Sequence, residues 1–408
     1  MHTQLEAALS MKPLAHVRLK KGEDRRIRAG HPWIFSNEIN ITATPLKAFQ
    51  PGEEVLVEAH DQSQLGIAYI NPHSLIAARL FTRDVTERLD LDFLQQRLQD
   101  ALTLRQRLFT EPYYRLVFSE ADVLPGVVID RFANDFVMQV NTAGMEQKID
   151  VLTQALCNVF PDIHSILLRN DSTIREQEGL PSYAKAAYGS PPQEISVREN
   201  SVSFLAPLWQ GQKTGWFYDH RMNRARLRDY VANQTVLDVF SYLGGWGIQA
   251  AHFGAKLVDC IEVSATACDF IQKNATLNHV DHLLTTICED AFDAMKQLLH
   301  SNKKYDVIIL DPPAFVKRFK DRKEGLIAYQ RLNEWALKLL TPGGILFSCS
   351  CSMHVSQEDL IQLLQRAAFR AQSQLQILER GHQGPDHPIH PAIPETDYLK
   401  AIIVRKVN

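Results

Sequence analysis

From about residue 205 to the end of the chain, short apolar runs alternate with longer segments of helical composition. Six apolar runs, which we interpret as strands, lie at 236–240, 256–262, 284–287, 306–310, 344–348 and 399–404. Five helix-compatible segments follow them in turn, at 246–253, 265–278, 291–300, 325–340 and 357–371. This alternation predicts an α/β fold with a doubly wound parallel sheet. In such a sheet ligands bind beyond the carboxyl ends of the strands, so the residues that end each strand are the functional candidates.

Two further zones precede this α/β region. Residues 1–85 contain strand-like runs broken by Pro-Gly and Asn-Pro turns, which predicts a small β-rich barrel or sandwich. Residues 86–204 combine helices at 91–108 and 145–160 with a hairpin and further strands, which predicts a small α+β unit. The strands expected in the two zones lie at 54–57, 66–70, 75–81, 126–130, 136–140, 165–169, 195–197 and 202–204. We therefore expect three domains, at 1–85, 86–204 and 205–408.

The net charge of −3, from 44 basic and 47 acidic residues, does not by itself indicate a nucleic-acid-binding protein. Positive charge is nevertheless concentrated in three groups. These are Lys12, Arg18, Lys20, Lys21, Arg25, Arg26 and Arg28; Lys213, Arg221, Arg224, Arg226 and Arg228; and Lys317, Arg318, Lys320, Arg322 and Lys323. The first group precedes the aromatics of 31–35, which suits either a solvated face beside a core tryptophan or a surface for RNA. Taken together, the three groups predict a path for RNA.

Several other classes of protein are disfavoured. No apolar run near the start has the length of a signal-peptide core, and none anywhere approaches the ~18 residues that span a membrane. The six cysteines include no C-x-x-C pair, which argues against a disulfide scaffold or a structural zinc site. His387 and His390 each precede a proline, and we expect them to shape a loop and to bind no metal. We predict a cytoplasmic protein without membrane attachment. A homodimer is compatible with this prediction.

The first strand of the α/β region runs into a glycine-containing loop. It carries Asp238 near its end, and the loop contains Ser241, Gly244 and Gly245. Glycines let a backbone approach a ligand closely, but their spacing differs from the G-x-G-x-x-G of dinucleotide-binding proteins. Glu262 ends the second strand, 24 residues after Asp238, where a carboxylate can accept hydrogen bonds from both ribose hydroxyls. These residues predict a pocket for an adenosyl ligand.

Asp290 follows the third strand and could contact an adenine amino group or cap the next helix. S-adenosylmethionine fits this set better than NAD, because an acidic residue beside the glycine loop suits an ammonium group and repels phosphates. Residues 211–214 (Gly-Gln-Lys-Thr) lack the spaced glycine of a phosphate-binding P-loop, so an ATP site is disfavoured. We predict S-adenosyl-L-methionine as the cofactor.

The fourth and fifth strands end in residues suited to chemistry on a nucleobase. Asp311 is followed by two prolines that hold its carboxylate in place, and Phe315 is positioned to stack on a flat ring. The fifth strand delivers Cys349 and Cys351, which point to the same face if the strand stays extended, so alternation does not choose between them. A thiol beside a fixed carboxylate suits methylation of a pyrimidine at C5, which needs a thiolate to add at C6.

The whole chain resembles the RlmI-type bacterial large-subunit ribosomal RNA cytosine-5 methyltransferases. The resemblance is carried by five segments, at 214–224 (TGWFYDHRMNR), 238–247, 311–315 (DPPAF), 348–352 (SCSCS) and 386–391 (DHPIHP). It implies an N-terminal PUA domain, a central α+β domain and a class I Rossmann-like methyltransferase domain. It also implies a role in rRNA processing, with 5-methylcytosine formed in 23S rRNA.

Carried over by position, the resemblance implies that S-adenosylmethionine binds against Asp238, Gly244, Glu262 and Asp290. Cys351, seven residues after Gly344, matches the nucleophile of related cytosine-5 enzymes and would form a covalent bond to C6. Asp311 would hydrogen-bond N3 of the cytosine and help the ring accept the thiolate. Many cytosine-5 RNA methyltransferases have a cysteine in the motif around Asp311, and this chain has none there. Cys349 is therefore a candidate for assisting product release.

Two other functions are compatible with these residues. An Asp-Pro-Pro-aromatic loop can also grip an exocyclic amine, as in an amino-methyltransferase of a base or of a protein glutamine, and that chemistry needs no thiol. A non-catalytic RNA-binding assembly factor with a vestigial adenosyl pocket is the third hypothesis. Intact acidic residues at all the strand ends speak against it.

Overall fold

The computed structural model describes residues 13–211 and 214–408, so Lys12, Lys213 and part of the 211–214 loop lie outside the described residues. The chain divides into two compact units. The first comprises the residues up to Pro191 together with Pro388–Ile393, and the second comprises Pro192–His387 and Pro394–Asn408. None of the described helices combines the length and the apolar character needed to cross a bilayer.

The first unit contains two five-stranded sheets. One has the order β1-β3-β4-β5-β2, with strands β1 (Ala15–Arg18), β2 (Trp33–Phe35), β3 (Glu53–Glu58), β4 (Gln64–Ile70) and β5 (Ile76–Thr82). The other has the order β10-β9-β8-β7-β6, with strands β6 (Tyr113–Phe118), β7 (Val127–Phe132), β8 (Asp135–Val140), β9 (Ser165–Asn170) and β10 (Tyr183–Gly189). The helices of this unit are α1 (Asp24–Arg28), α2 (Leu91–Leu108), α3 (Ala143–Glu146), α4 (Ile149–Val159) and α5 (Ile174–Gln177).

These two sheets of the first unit share apolar packing. The core around the second sheet includes Ile67, Tyr69 and Phe81 from the first sheet. The hydroxyl of Tyr69 donates to the carbonyl of Pro125 at 2.8 Å and lies 3.0 Å from Oγ1 of Thr142. The two N-terminal zones that the sequence suggests as separate domains therefore pack as one compact unit.

The second unit begins with a hairpin of β11 (Glu194–Glu199) and β12 (Val202–Pro207). Its helices are α6 (Arg221–Ala225), α7 (Gly247–His252), α8 (Ala265–Leu277), α9 (Ala291–His300), α10 (Arg322–Leu339) and α11 (Gln357–Arg370). Its large sheet contains β13 (Thr235–Val239), β14 (Leu257–Glu262), β15 (Leu284–Cys288), β16 (Tyr305–Leu310), β17 (Leu340–Ser350), β18 (Leu375–Gly381) and β19 (Lys400–Lys406). The strand order is β15-β14-β13-β16-β17-β19-β18, and β19 is antiparallel to both of its neighbours.

The hairpin belongs to the second unit, whereas we expected a boundary after residue 204. Asn274 on α8 explains the placement, because its side chain bonds both the N–H (2.7 Å) and the carbonyl (3.1 Å) of Leu205. Asn278, one turn later, accepts from the N–H of Ser203 at 3.1 Å. Polar side chains of the α/β region thus bind the hairpin. The sequence of the hairpin itself does not indicate that it packs on this region.

The large sheet positions the functional candidates at one edge. Its central strands β13 and β16 are apolar and buried, as expected for a parallel sheet covered on both faces. The paired strands β13, β14 and β16 run in the same direction, which brings Asp238, Glu262 and Asp311 to one end of the sheet. The α/β fold predicted from the alternating pattern is confirmed.

Candidate functional site

A cleft with a volume of about 200 Å³ lies beyond the carboxyl ends of the parallel strands. It brings together four of the candidates from the sequence: Glu262, Asp290, Asp311 and Cys351. The remaining lining residues are Phe217, Asp219, His220, Phe240, Tyr242, Ile261, Val263, Glu289, Ala291, Pro312 and Pro313. Carboxylates, aromatic rings and one thiol thus face a single cavity.

Glu262 is the last residue of β14 and is 8% exposed. One carboxylate oxygen accepts from the N–H of Tyr242 and the other from the N–H of Ser264, both at 2.9 Å. Each oxygen keeps acceptor capacity, because a carboxylate oxygen has two lone pairs. A carboxylate fixed in this way at the cleft wall can receive two hydroxyl groups of a ligand.

Asp238 is fully buried in β13 and is not among the residues that line the cleft. Its Oδ2 accepts from the N–H of Gly247 at 2.9 Å, and the hydroxyl of Ser241 donates to its carbonyl at 2.9 Å. Its Oδ1 has no hydrogen-bond partner among the described residues. Burial, with the nearby charges of Asp311 and Glu262, raises the pKa of Asp238 to about 7. A buried oxygen of this kind favours a cationic or donating group brought by a ligand.

Gly244 and Gly245 shape the loop and do not line the cleft. Gly244 has a φ of +82°, a backbone conformation that favours glycine. A Cβ at Gly245 would lie 3.3 Å from the ring of Trp216 and 3.4 Å from the guanidinium of Arg224. These glycines permit the tight packing of the loop, and ligand contact is not needed to explain them.

Asp290 caps a helix, which is one of the two roles that the sequence left open for it. It is the N-cap of α9, where its Oδ1 accepts from the N–H groups of Phe292 at 2.9 Å and Asp293 at 3.3 Å. It also lines the cleft. Both capping bonds use the same oxygen, so the cap and a ligand contact are compatible.

Asp311 follows β16 and is held by side chains from two distant segments. The indole N–H of Trp246 donates to its Oδ2 at 2.9 Å. Nε2 of His220 lies 3.1 Å from its Oδ1, at ion-pair distance but without hydrogen-bond alignment. Burial alone would raise the pKa of Asp311, but the charge of His220 and the hydrogen bond from Trp246 outweigh it and hold the pKa below its usual value. Asp311 is therefore an ionised acceptor.

The two thiols occupy different environments. Cys349 lies within β17 and is 1% exposed, and burial, followed by the charges of Asp311 and Cys351, raises its pKa well above the usual range. Cys351 follows the end of the strand at Ser350 and is half-buried at the cleft, with its Sγ 4.0 Å from the carbonyl oxygen of Pro312. Of the two thiols, only that of Cys351 lines the cavity.

The loops that carry Asp311 and Cys351 are joined by a network of hydroxyl groups. Oγ of Ser352 accepts from the N–H of Val316 at 3.2 Å and lies 2.9 Å from the hydroxyl of Tyr329. Ser350 donates to the same tyrosine hydroxyl at 3.0 Å. This network fixes the loop after β17 relative to the loop after β16.

Phe315 does not line the cleft, and the prediction that it is positioned to stack on a substrate ring is not supported by the structure. The centroid of its ring lies 4.8 Å from that of Tyr329, 6.3 Å from that of Phe240 and 6.2 Å from that of Phe292. The two prolines turn the chain so that Phe315 joins the apolar core, and Phe240 and Phe217 supply the rings at the cleft.

Several residues that line the cleft were not predicted from the sequence. Asp219 and His220 come from the 214–224 segment, and Tyr242 comes from the glycine loop. The hydroxyl of Tyr398 donates to Oδ2 of Asp219 at 2.6 Å. The run of an acidic residue, a histidine and an arginine at 219–221 was the feature of the sequence that could have indicated these residues. Only tertiary contact, however, places His220 against Asp311.

Among the described residues, one group of three side chains has the proximity of metal ligands: His220, Asp311 and Cys349. It includes neither His387 nor His390. Nδ1 of His387 lies 3.0 Å from Oδ1 of the adjacent Asp386, and both side chains are buried. These contacts suit a structural role for the 386–391 loop.

The basic groups are less available than their sequence suggests. Arg221 and Arg224 are buried, and both face the carboxylate of Glu199. Arg226, also in the second group, pairs with Glu379 at 2.7 Å. Other arginines of the first and third groups form ion pairs with carboxylates, namely Arg18, Arg26, Arg28, Arg318 and Arg322. The exposed basic residues that remain among the described residues are Lys20, Lys21, Arg25, Arg228, Lys317, Lys320 and Lys323.

Comparison with known protein families matches both ends of the chain. Residues 17–83 match the PUA-like domain family, and residues 176–405 match the S-adenosylmethionine-dependent methyltransferase family. A protein of Shewanella denitrificans named ribosomal RNA large subunit methyltransferase I is 37% identical over 396 residues, covering 95% of this chain and 98% of that protein. A protein of the same name from Aeromonas salmonicida is 37% identical over 393 residues, with the same coverage of 95% and 98%.

Two solved structures share the architecture of the whole chain. A Streptococcus mutans protein described as a SAM-dependent methyltransferase superposes with a TM-score of 0.81 at 19% identity, covering 96% of this chain and 100% of that one. A methyltransferase solved in complex with SAH superposes with a TM-score of 0.82 at 20% identity, with the same coverage of 96% and 100%. At these identities the likeness concerns the fold.

Proposed function

Because the chain belongs to the family of S-adenosylmethionine-dependent ribosomal RNA large subunit methyltransferases, we propose that it methylates C5 of a cytosine in large-subunit ribosomal RNA, with Cys351 as nucleophile. The fold consists of a PUA-like domain, an α+β region and a class I methyltransferase domain. The observation that carries the proposal is that Cys351 and Asp311 share one cleft with Glu262 and Asp290.

The residues of the cleft fit S-adenosylmethionine. Glu262 would accept hydrogen bonds from the two ribose hydroxyls, for which both of its oxygens keep acceptor capacity. Asp290 would accept from the adenine amino group while it caps α9. The unpartnered buried oxygen of Asp238 favours positive charge nearby, and the cofactor carries both an ammonium and a sulfonium group.

The chemistry follows from the cleft's thiol and carboxylate. The thiolate of Cys351 forms a bond to C6, and the displaced electron pair makes C5 nucleophilic. When bound, S-adenosylmethionine supplies the methyl group that C5 takes up. A base then removes the proton from C5, and the returning electron pair breaks the C6–S bond and frees Cys351.

The ionised state of Asp311 refines its role in this scheme. A carboxylate with a lowered pKa accepts hydrogen bonds and is a poor proton donor. Asp311 therefore acts on N3 of the cytosine by stabilising a proton that arrives there as the thiolate adds. His220, close to the same carboxylate, keeps Asp311 ionised.

The same property of Asp311 favours a second candidate, methylation of an exocyclic amine. An ionised acceptor beside Pro312 and Pro313 can hold an N–H of the amine, and that reaction does not need Cys351. The two candidates differ in what happens when the thiol is removed.

The test uses purified protein, isotopically labelled S-adenosylmethionine and large-subunit ribosomal RNA from cells that lack this activity. We expect bisulfite mapping to find 5-methylcytosine with the wild-type protein and Cys351→Ala to abolish methyl transfer while it still binds S-adenosylmethionine. Cys157→Ala is the control, since it removes a partly buried thiol of the other compact unit. Full transfer by Cys351→Ala would refute the cytosine-5 mechanism, and methylated amine as the product would establish the second candidate. Absence of transfer by the wild-type protein would favour a non-catalytic factor.

A further inference from the structure

Lys400 is a buried lysine whose role the proposed reaction leaves open. It is the first residue of β19, where it pairs across the sheet with Ser350, and it is 7% exposed. Its ammonium group donates to the carbonyl of Ser352 at 2.7 Å and to that of Tyr398 at 2.8 Å. The side chain therefore extends from the level of Ser350 to the carbonyl of the residue that follows Cys351.

The hydrogen bonds of Lys400 leave its charge uncompensated. Both partners are neutral carbonyl oxygens, and no carboxylate of the described residues lies at ion-pair distance from the ammonium. Lysine is rarely buried without a charged partner, because desolvation of the ammonium is costly. Burial accordingly lowers the pKa of Lys400 to about 8.

The ammonium of Lys400 bonds the carbonyl of Ser352, the residue that follows Cys351. A thiolate at Cys351 opposes the effect of burial on the lysine, and the more weakly acting Asp397 and Asp359 do the same. An interaction that favours the charged lysine must equally favour the charged cysteine, because both effects describe one coupling energy. A thiolate at Cys351 is therefore the charged partner that best complements this ammonium.

We propose that Lys400 supplies the positive charge that stabilises the thiolate of Cys351. The proposal rests on the role of Cys351 as nucleophile, and it assigns Lys400 as a positioning residue that acts through the thiol. Of the other titratable groups near Cys351, His220 lines the same cleft but faces Asp311, with 3.1 Å between Nε2 and Oδ1. Asp311 is negative and disfavours a thiolate, while burial favours the neutral forms of Cys349 and Tyr329.

Lys406 offers a matched control on the same strand. It is also buried, and its ammonium donates to the carbonyls of Leu337 at 2.8 Å and Leu340 at 2.9 Å. Burial lowers the pKa of Lys406 as well. The two lysines therefore share their environment and differ in whether a thiol lies beside them.

The experiment measures the rate of alkylation of Cys351 by iodoacetamide against pH, with the modified residue identified by fragment-ion mass spectrometry. We expect Lys400→Met to move the midpoint of the profile upward by about one pH unit or more, and Lys406→Met to leave it unchanged. Lys400→Gln retains donors for the two carbonyls without the charge, so it should show the same shift if Lys400→Met folds poorly. Lys400→Arg should restore most of the wild-type profile.

The same midpoint in the wild-type protein and in Lys400→Gln would overturn the proposal. Because alkylation requires neither RNA nor S-adenosylmethionine, its outcome is separate from that of the proposed methylation. An upward shift in a protein whose Cys351→Ala variant still transfers methyl groups would retain the pairing of Lys400 with Cys351 and reject the cytosine-5 mechanism.

Discussion

The two sides of the cleft are supported in different ways. On the β14–β15 side, the carboxylates of Glu262 and Asp290 accept their hydrogen bonds from backbone N–H groups. On the β16–β17 side, Asp311 is held by the side chains of Trp246 and His220, and Cys351 lies next to the residue that Lys400 bonds. Backbone support survives most substitutions, whereas side-chain support depends on single residues. The two sides should therefore respond differently to mutation.

This difference leads us to expect that binding and chemistry are separable. Substitutions on the β14–β15 side should weaken S-adenosylmethionine binding and leave the reactivity of Cys351 unchanged. Substitutions on the β16–β17 side should slow methyl transfer and leave cofactor affinity unchanged. Four predictions test the separation.

The largest effect is expected from Glu262→Ala. Loss of two hydrogen bonds to a charged group should weaken S-adenosylmethionine binding by about a hundredfold, at roughly 1.5 kcal/mol for each bond. Calorimetric titration measures the affinity, and Cys351 alkylation should be unaffected. Glu289→Gln is the control, because Glu289 lines the same cleft but accepts from Gln297 at 2.7 Å. An equal loss of affinity in both variants would mean that binding depends on the total negative charge of the cleft and not on the position of Glu262.

His220→Ala should have the next largest effect, on the rate. Because His220 lowers the pKa of Asp311 and burial raises it, removing the histidine raises that pKa. If the activity needs ionised Asp311, the acidic midpoint of its pH profile should move upward by about one unit. Below that midpoint the rate should be roughly tenfold lower than in the wild-type protein. The pH profile of methyl transfer measures this, and the exposed His252→Ala serves as control. An unchanged profile would show that Asp311 is not the group whose ionisation limits the rate.

Asp238→Asn should change how pH affects both binding and stability. With a pKa of about 7, Asp238 becomes charged as the pH rises through neutrality, so affinity for the cationic cofactor should rise between pH 6 and pH 8. Its pKa in the folded protein lies above the ordinary value of 3.8, so stability of the ligand-free protein is favoured at low pH and falls as the pH approaches 7. The Asn variant should lose both dependences in titration and thermal unfolding. A wild-type affinity that is flat across this range would contradict the assignment.

The smallest effects are expected at Asp290. Asparagine is as good an N-cap as aspartate, so Asp290→Asn should change the free energy of unfolding by less than about 0.5 kcal/mol, while Asp290→Ala should cost about 1 kcal/mol. Both variants should weaken S-adenosylmethionine binding by only a few fold, since one neutral-donor hydrogen bond is lost. Chemical denaturation and calorimetry measure the two quantities. If the loss of affinity in the two variants is proportional to their loss of stability, Asp290 acts only as a helix cap.

The fold illustrates where pattern analysis succeeds and where it stops. Helix α2 and most elements of the α/β region were predicted to within a few residues, since their apolar periodicity is long and, for α2, Asp90 caps the start. Five strands were missed: β1, β2, β6, β10 and β18. All five lie at the edges of their sheets. An edge strand pairs on one side only and is partly exposed, so its sequence lacks the continuous apolar run of a central strand.

The site divides in the same way. The sequence by itself determined which residues end the parallel strands, and hence the placement of Glu262, Asp290 and Asp311 at one cleft, because strand and helix periods are local properties. Only the tertiary structure decided that Cys351 and not Cys349 lines the cavity. It also brought His220 to Asp311 and Lys400 to the carbonyl of the residue that follows Cys351. These contacts join segments far apart in the chain, and no spacing within the sequence encodes the distance between two side chains that meet only when the sheet has formed.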